Sequence, residues 1–418
     1  MSRSATVASG QPHEQTSDLR AKLIKSQRSY KFKSLLLIAP LFVFVLVCFA
    51  FPIGTLLTRS VDNPDANTAL PATVEALTTW KGKTLPNEQA FAALVSDLAN
   101  AKQNGQIGAL SKRLSYEIPG YRTLITKTLR NLPPSDAPSK RDALIAIDSA
   151  WGEVNHWRAL KQASSSLTPY FLLAALDHRI DSASGSLVKA EPNQSIYLDI
   201  FARTFYIGGV VTLLCLLLGF PVAYWLATLP EGQSNLLMIC VLLPFWTSLI
   251  VRTAAWVVLL QSDGMINRSL LFLGVIDTPV QLVFNRTGVI IAMTHVLLPF
   301  MILPLYSVMK NIPSNYVRAA ISLGAHPFVA FWRVYVPQTF AGLAAGALLT
   351  FILAIGYYVT PALVGGAADQ MVSYFVAFYT NKTVNWGMAS ALGSLLLIAT
   401  LLLYGVYGKL THSNQPRA

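Results

Sequence analysis

Ser34-Leu-Leu-Leu-Ile-Ala-Pro-Leu-Phe-Val-Phe-Val-Leu-Val-Cys-Phe-Ala-Phe-Pro-Ile-Gly-Thr-Leu-Leu57 is a run of 24 residues without a single charge. A helix of that length crosses the roughly 30 Å hydrocarbon core of a bilayer. Five further apolar segments follow at about 203–229, 236–261, 287–309, 338–363 and 388–408. The chain of 418 residues is 53% hydrophobic and only 12% charged, which excludes an ordinary cytosolic enzyme. The expected fold is therefore an all-α integral membrane protein with six transmembrane helices.

The charges orient it. Residues 1–34 form a polar tail with seven basic residues against Glu14 and Asp18, read as cytosolic. The run that follows (35–57) is too long for the apolar region of a signal peptide and is expected to remain as the first transmembrane helix. The short connection 310–337 carries Lys310, Arg318 and Arg333 with no acid, and the tail 411–418 follows Lys409 on the same side. Both ends are thus expected in the cytosol. The net charge of +12 reflects this bias. Nucleic-acid binding is not expected, because the basic tail has no stacking platform or folded basic face around it, and anionic lipid headgroups are its expected contact.

Between the first span and the rest, residues 58–197 hold 15 basic and 13 acidic side chains and no stretch able to span a bilayer. Apolar residues recur at helical spacing in Phe91, Leu94, Val95, Leu98 and in Leu144, Ile147, Trp151, Val154. Breaks at Pro86, Gly105, Pro119, Pro133-Pro134 and Pro169 separate such segments, and no alternation suggests a sheet. The reading is a helical periplasmic domain inserted between helices 1 and 2, with a five-helix core over 198–410. In the insertion Trp151, His156, Trp157 and Tyr170 are read as core first and as a docking face second.

The connection 310–337 contains Tyr316-Val-Arg-Ala-Ala-Ile-Ser-Leu-Gly-Ala-His-Pro-Phe-Val-Ala-Phe-Trp-Arg-Val-Tyr-Val-Pro337, which reads as two short amphipathic helices around a turn at Gly324 and Pro327. Small residues at Ala319, Ala320 and Gly324 leave one face open to close approach by another protein; an interfacial helix lying in the headgroups is the alternative. The spacing Ala319-Ala320, three residues, Gly324, nine residues, Val334-x-Val336-Pro337 resembles the EAA loop of ABC importer permeases. The segments Leu218–Ala227, Leu243–Trp256 and Thr360–Gly366 are similar to permeases of the spermidine/putrescine type, so the resemblance covers about residues 200–410.

The resemblance implies a transmembrane subunit of an ATP-driven importer, in a bacterial inner membrane, moving polyamines such as putrescine or spermidine by alternating access. It implies partners: two ATP-binding ATPase subunits, a second permease subunit and a periplasmic substrate-binding protein. It also implies that Arg318, Ala319, Ala320, Gly324, Ala325, His326, Pro327 and Pro337 belong to the loop that couples to the ATPase. Arg318 stands where that family usually has Glu. The chain holds no GxxxxGK[ST] phosphate loop, since Gly82-Lys83-Thr84 has Leu77 in place of the first glycine. ATP and Mg are therefore expected on the partner chain, with no cofactor, metal or catalytic residue here.

Within the spans, ionisable groups are costly and are candidates for function. Arg203 lies near a helix start, where snorkelling accounts for it. Arg252, with Trp246 and Thr247, is read as lining a substrate path or anchoring the bundle, and His295 is similar. Tyr357, Tyr358 and Thr360 complete the candidate path. Tyr357 and Tyr358 stand where polyamine permeases often carry an acid, so a cation would meet aromatic faces there. An anionic or zwitterionic solute is the alternative substrate. A stand-alone carrier would need an intramembrane carboxylate for ion coupling, and a membrane receptor a cytosolic output domain; the later spans and the short polar tails are not expected to supply them.

Overall fold

The computed structural model describes residue 33 and residues 36–134, 137–181 and 185–413. The basic tail, Lys33 apart, and residues 414–418 lie outside the described residues. Helix α1 (Leu36–Thr58) belongs to a unit that ends at Thr58. It widens into a π-turn at Leu46–Ala50, just ahead of Pro52, which lacks the N–H of a regular turn.

The second unit begins with a helical module: α2 (Pro64–Ala69), α3 (Pro71–Thr78), α4 (Glu88–Gln103), α5 (Ile107–Glu117), α6 (Tyr121–Arg130), α7 (Lys140–Ile147), α8 (Val154–Ala163) and α9 (Tyr170–Ala174). The proline and glycine breaks read from the sequence fall between these helices. Helix α4 buries Phe91, Leu94, Val95 and Leu98 on one face, at the spacing of that face. The second periodic run is not one helix. Asp148 ends α7 and turns its carboxylate onto the N–H of Ala150 (3.1 Å), starting a 3₁₀ turn, so Trp151 enters the core from that turn and Val154 opens α8.

Trp151 and Trp157 are wholly buried, which makes them core rather than docking face. Each indole N–H has a partner: Trp151 donates to Thr128 Oγ1 at 2.9 Å and Trp157 to the Trp151 carbonyl at 2.9 Å. Lys127 lies 2.8 Å from Asp148, and together with the Ala150 N–H it holds that carboxyl below the usual carboxylate range. A lowered folded pKa stabilises above the unfolded value and is lost as pH falls through the folded one. Asp148→Asn keeps a cap acceptor but no charge, and the pair is partly exposed, so a loss of about 0.5 kcal/mol at neutral pH is expected. Tryptophan-fluorescence melts of the full chain in detergent should show that difference shrink and vanish as the pH falls below the ordinary carboxylate range and through the lowered folded value.

The chain is not all helix. His178–Ile180 (β1) and Leu187–Lys189 (β2) pair antiparallel, three residues each, too few for an alternation to be visible in sequence. Asp177, at φ 57°, turns the chain into this hairpin and caps the next helix with both carboxylate oxygens, on the N–H groups of Tyr197 (3.0 Å) and Leu198 (2.8 Å).

The apolar part comprises α10 (Tyr197–Thr228), α11 (Glu231–Leu242), α12 (Leu249–Leu260), α13 (Met265–Phe272), α14 (Arg286–Lys310), α15 (Asn315–Ser322), α16 (Pro327–Gln338), α17 (Phe340–Gly356), α18 (Val359–Val364), α19 (Val372–Asn381) and α20 (Trp386–Ser413). Five helices of the described chain are long and apolar enough to cross a membrane, or six if α16 and α17, bent by 60°, count as one span. Two expected spans are not continuous. The segment 236–261 is interrupted by a 3₁₀ turn (Leu243–Trp246) and an extended link at Thr247-Ser248, because Pro244 cannot supply its N–H. The segment 338–363 breaks at Tyr357-Tyr358.

Helices α10, α14 and α17 form the centre, and glycines let their backbones approach. A Cβ on Gly219 would sit 3.2 Å from Met301, one on Gly342 2.9 Å from the Pro304 carbonyl, and one on Gly346 3.0 Å from the Met301 carbonyl. Between helices in lipid this close contact replaces the hydrophobic drive available in water. The helical module packs on the end of the bundle where α10 and α20 start. Phe171 covers Gly387, where a Cβ would come within 2.4 Å of the ring, and Asn385 donates to the Tyr116 hydroxyl at 2.9 Å.

Candidate functional site

Both broken spans face one cavity of about 220 Å³. The first break supplies Pro244, Phe245 and Thr247, and α12 supplies Arg252. Phe300 comes from α14, and Tyr357 sits in the second break. Discontinuous helices place backbone polar groups where a continuous helix would hide them, and such backbone is tolerated at membrane depth only inside protein or along a cavity. Phe245 and Phe300 meet edge to face with centroids 4.9 Å apart in the cavity wall.

Of the path residues expected from sequence, the structure brings Thr247, Arg252 and Tyr357 together. Trp246 points away, 73% exposed, and Tyr358 is exposed beside its lining neighbour. His295 is occupied elsewhere: its Nδ1 accepts from Trp256 Nε1 at 3.2 Å, tying α14 to α12. Thr360 is buried behind the cavity, its hydroxyl 3.3 Å from that of Thr253, and pins α18 to α12. Phe245, Phe300 and Leu353 were missed by sequence reasoning, since apolar residues in apolar spans carry no signal of which face they line. Among the described residues no carboxylate lines the cavity. Among the described residues no group of three or more His, Cys, Asp or Glu is placed to hold a metal.

The second candidate region is α15 and α16. Gly324 N–H bonds to the Ile321 carbonyl (2.9 Å) and Ala325 N–H to the Ala320 carbonyl (3.0 Å), which is the Schellman closure of a helix end. It requires a left-handed residue, and Gly324 sits at φ 93°. His326 caps α16 by accepting from the Phe328 N–H at 3.3 Å, and Pro327 takes the first helical position. Arg318 lies a full turn into α15, so the helix-dipole penalty for a base at an amino end, which fades within one turn, is small.

Arg318, Ala319, Gly324, His326, Pro327 and Pro337 are exposed, while Ala320 and Ala325 are half-buried. Leu323 is 89% exposed, with Phe328 and Trp332 also open. On the other side, Phe331 and Tyr335 of a π-turn in α16 clasp Tyr224 of α10, both ring pairs at 5.2 Å. One short helical pair thus offers an open face outward and grips the central helix inward.

A family described as the binding-protein-dependent transport system inner membrane component matches residues 215–412. The spermidine/putrescine transport system permease protein PotB of Escherichia coli (strain K12) is 34% identical over 212 residues, covering 51% of this chain and 77% of that protein. The chain belongs to this family of ABC importer permeases. As a binding-protein-dependent permease it is a multi-pass inner-membrane subunit and not itself an enzyme. Other permeases of the family are similar to it: the inner membrane ABC transporter permease protein YdcU of Escherichia coli (strain K12) is 32% identical over 49% of this chain and 70% of that protein. The molybdenum transport system permease protein ModB of Mycobacterium bovis is 28% identical over 56% of this chain and 86% of that protein. The permease match leaves residues 58–197 uncovered.

Proposed function

We propose that this permease carries a polyamine such as putrescine or spermidine across the inner membrane by alternating access, together with a second permease subunit, two ATPase subunits and a periplasmic binding protein. The observation that carries the substrate is the 34% identity with PotB over 212 residues. In this reading ATP and Mg belong to the ATPase subunits, both ends of the chain are cytosolic, and residues 58–197 form a periplasmic domain. The ATPase takes hold of the open face of α15 and α16 around Ala319, Ala320 and Gly324. Its movement reaches α10 through Tyr224 on Phe331 and Tyr335, and from α10 the packed centre of α14 and α17. Tyr357 and the Phe245–Phe300 pair present aromatic faces to a cation, each worth about 0.5–2 kcal/mol.

A second reading, the same importer for an anionic or zwitterionic solute, is favoured by the absence, among the described residues, of any carboxylate from the cavity and the presence of Arg252 in it. The two are separated by co-purifying the tagged chain with its partners, reconstituting the complex in lipid, and measuring ATPase stimulation by the binding protein. Stimulation with putrescine or spermidine loaded is the expected result. Stimulation only with phosphonates or amino acids would move the substrate to the second reading, and a chain that co-purifies with no ATPase would overturn the importer reading.

A further inference from the structure

The break between α11 and α12 interrupts the helical bonding within a span, and its Pro244 carbonyl keeps one long backbone bond, from the Thr247 N–H at 3.4 Å. In a bilayer a carbonyl left without a donor costs several kcal/mol. Arg252 supplies further donors. Its Nη2 donates to the carbonyls of Pro244 and of Thr247 (2.9 Å for the latter), and its Nε donates to the Thr247 hydroxyl at 3.2 Å. That hydroxyl in turn donates to the Pro244 carbonyl at 3.0 Å, so side chain and break form one closed set of bonds.

The charge is matched as well as the geometry. The carbonyls that Arg252 grips close the carboxyl end of α11 and its 3₁₀ extension, the negative end of the helix dipole, where a cation is stabilising. A planar guanidinium can donate from two nitrogens along one edge to acceptors held side by side; an ammonium on a flexible stem cannot. The gripped turn also carries Phe245, whose ring meets that of Phe300 in the cavity wall.

We infer that Arg252 is a positioning residue: it holds the α11–α12 break, and through it the Phe245–Phe300 contact, and its charge is committed to backbone carbonyls rather than to the transported solute. This accounts for a cation in the cavity of a permease similar to polyamine carriers, because that cation is hydrogen-bonded to, and in part offset by, the helix end it caps. The inference rests on the proposed transport only for its kinetic arm.

The test compares Arg252→Lys and Thr247→Val with the parent in the full reconstituted complex, with putrescine as the probe. Arg252→Lys keeps the charge and loses the fork. Its maximal uptake rate should fall about tenfold or more, the scale of one charge-assisted hydrogen bond, while KM stays within about twofold. Thr247→Val, which removes one acceptor and leaves Arg252 in place, should show the same pattern more weakly. Independently of transport, cysteines replacing Phe245 and Phe300, in a chain whose Cys48, Cys215 and Cys240 are alanine, should be bridged by a short bis-maleimide, whose reach covers the length of the two lost rings, and Arg252→Lys should slow that cross-linking several-fold. A raised KM with an unchanged maximal rate would overturn the inference and make Arg252 a solute contact. Unchanged uptake and cross-linking in both variants would overturn it too. If the parent complex moves no putrescine, the substrate reading fails while the cross-linking arm still decides the role of Arg252.

Discussion

Gly324→Asp is expected to cut ATP-dependent uptake about tenfold or more while the permease still folds, its melt lowered only by the backbone cost of about 1–2 kcal/mol for a side chain at a left-handed position. The separation of the two effects follows from the geometry. A Cβ built on Gly324 has nothing within 4 Å, so the new side chain displaces no part of this chain. At φ 93° any side chain strains the backbone, but Asp is among the few residues that enter the left-handed region at a cost of only about 1–2 kcal/mol, so the Schellman closure of α15 survives. The added carboxylate projects into space beside Ala319 and Ala320, on the face assigned to the ATPase. If that face docks closely, a charged side chain there loses at least the roughly 1.4 kcal/mol that corresponds to tenfold. Uptake by membrane vesicles and melting in detergent, measured on the same preparation, check it. Uptake within twofold of the parent would remove α15 from the coupling role.

Gly346→Leu should do the opposite and damage the fold itself. The Cβ position lies 3.0 Å from both the carbonyl oxygen and the sulfur of Met301, and Leu adds three further carbons in that direction. The backbone carbonyl cannot give way, so α17 must retreat from α14. Overpacking of this kind costs about 1–3 kcal/mol, with more lost as the neighbouring contact at Gly342 opens. A fall of roughly 1–4 °C in the thermal melt in detergent is expected for a chain of this length. Gly209→Leu is the control. Gly209 also lies in a central helix, but nothing is within 4 Å of its Cβ position, and Leu is a better helix former than Gly, so the melt should hold or rise slightly.

Much of the α15–α16 turn could be read from the one-dimensional pattern because its logic is local. Gly324 ends a helix that starts nine residues earlier, at Asn315, and His326-Pro327 starts the next, so cap, turn and spacing all lie within a dozen residues. The cavity was legible only in part. Thr247 and Arg252 stood out as polar residues in apolar company, yet Phe245, Phe300 and Leu353 resemble any lipid-facing residue. Pro244 was visible as a kink, but the length of the break depends on what replaces the lost helical bonds, and that donor is the side chain of Arg252. Trp246, by contrast, is conspicuous in sequence and turns away from the cavity.

Apolar run length, charge bias and the spacing around Gly324 are properties of the chain itself, because bilayer thickness, the cost of moving charge across it and helix-end chemistry act on each segment separately. These determined a multi-span helical permease with a helix–turn–helix connection at Gly324. Which faces of the spans meet was decided only in three dimensions. The approach of α14 to α17 at Gly346, the Phe245–Phe300 contact and the packing of Phe171 on Gly387 join residues separated by tens to hundreds of positions. Such contacts depend on shape and on backbone groups shared between segments, which no single segment encodes.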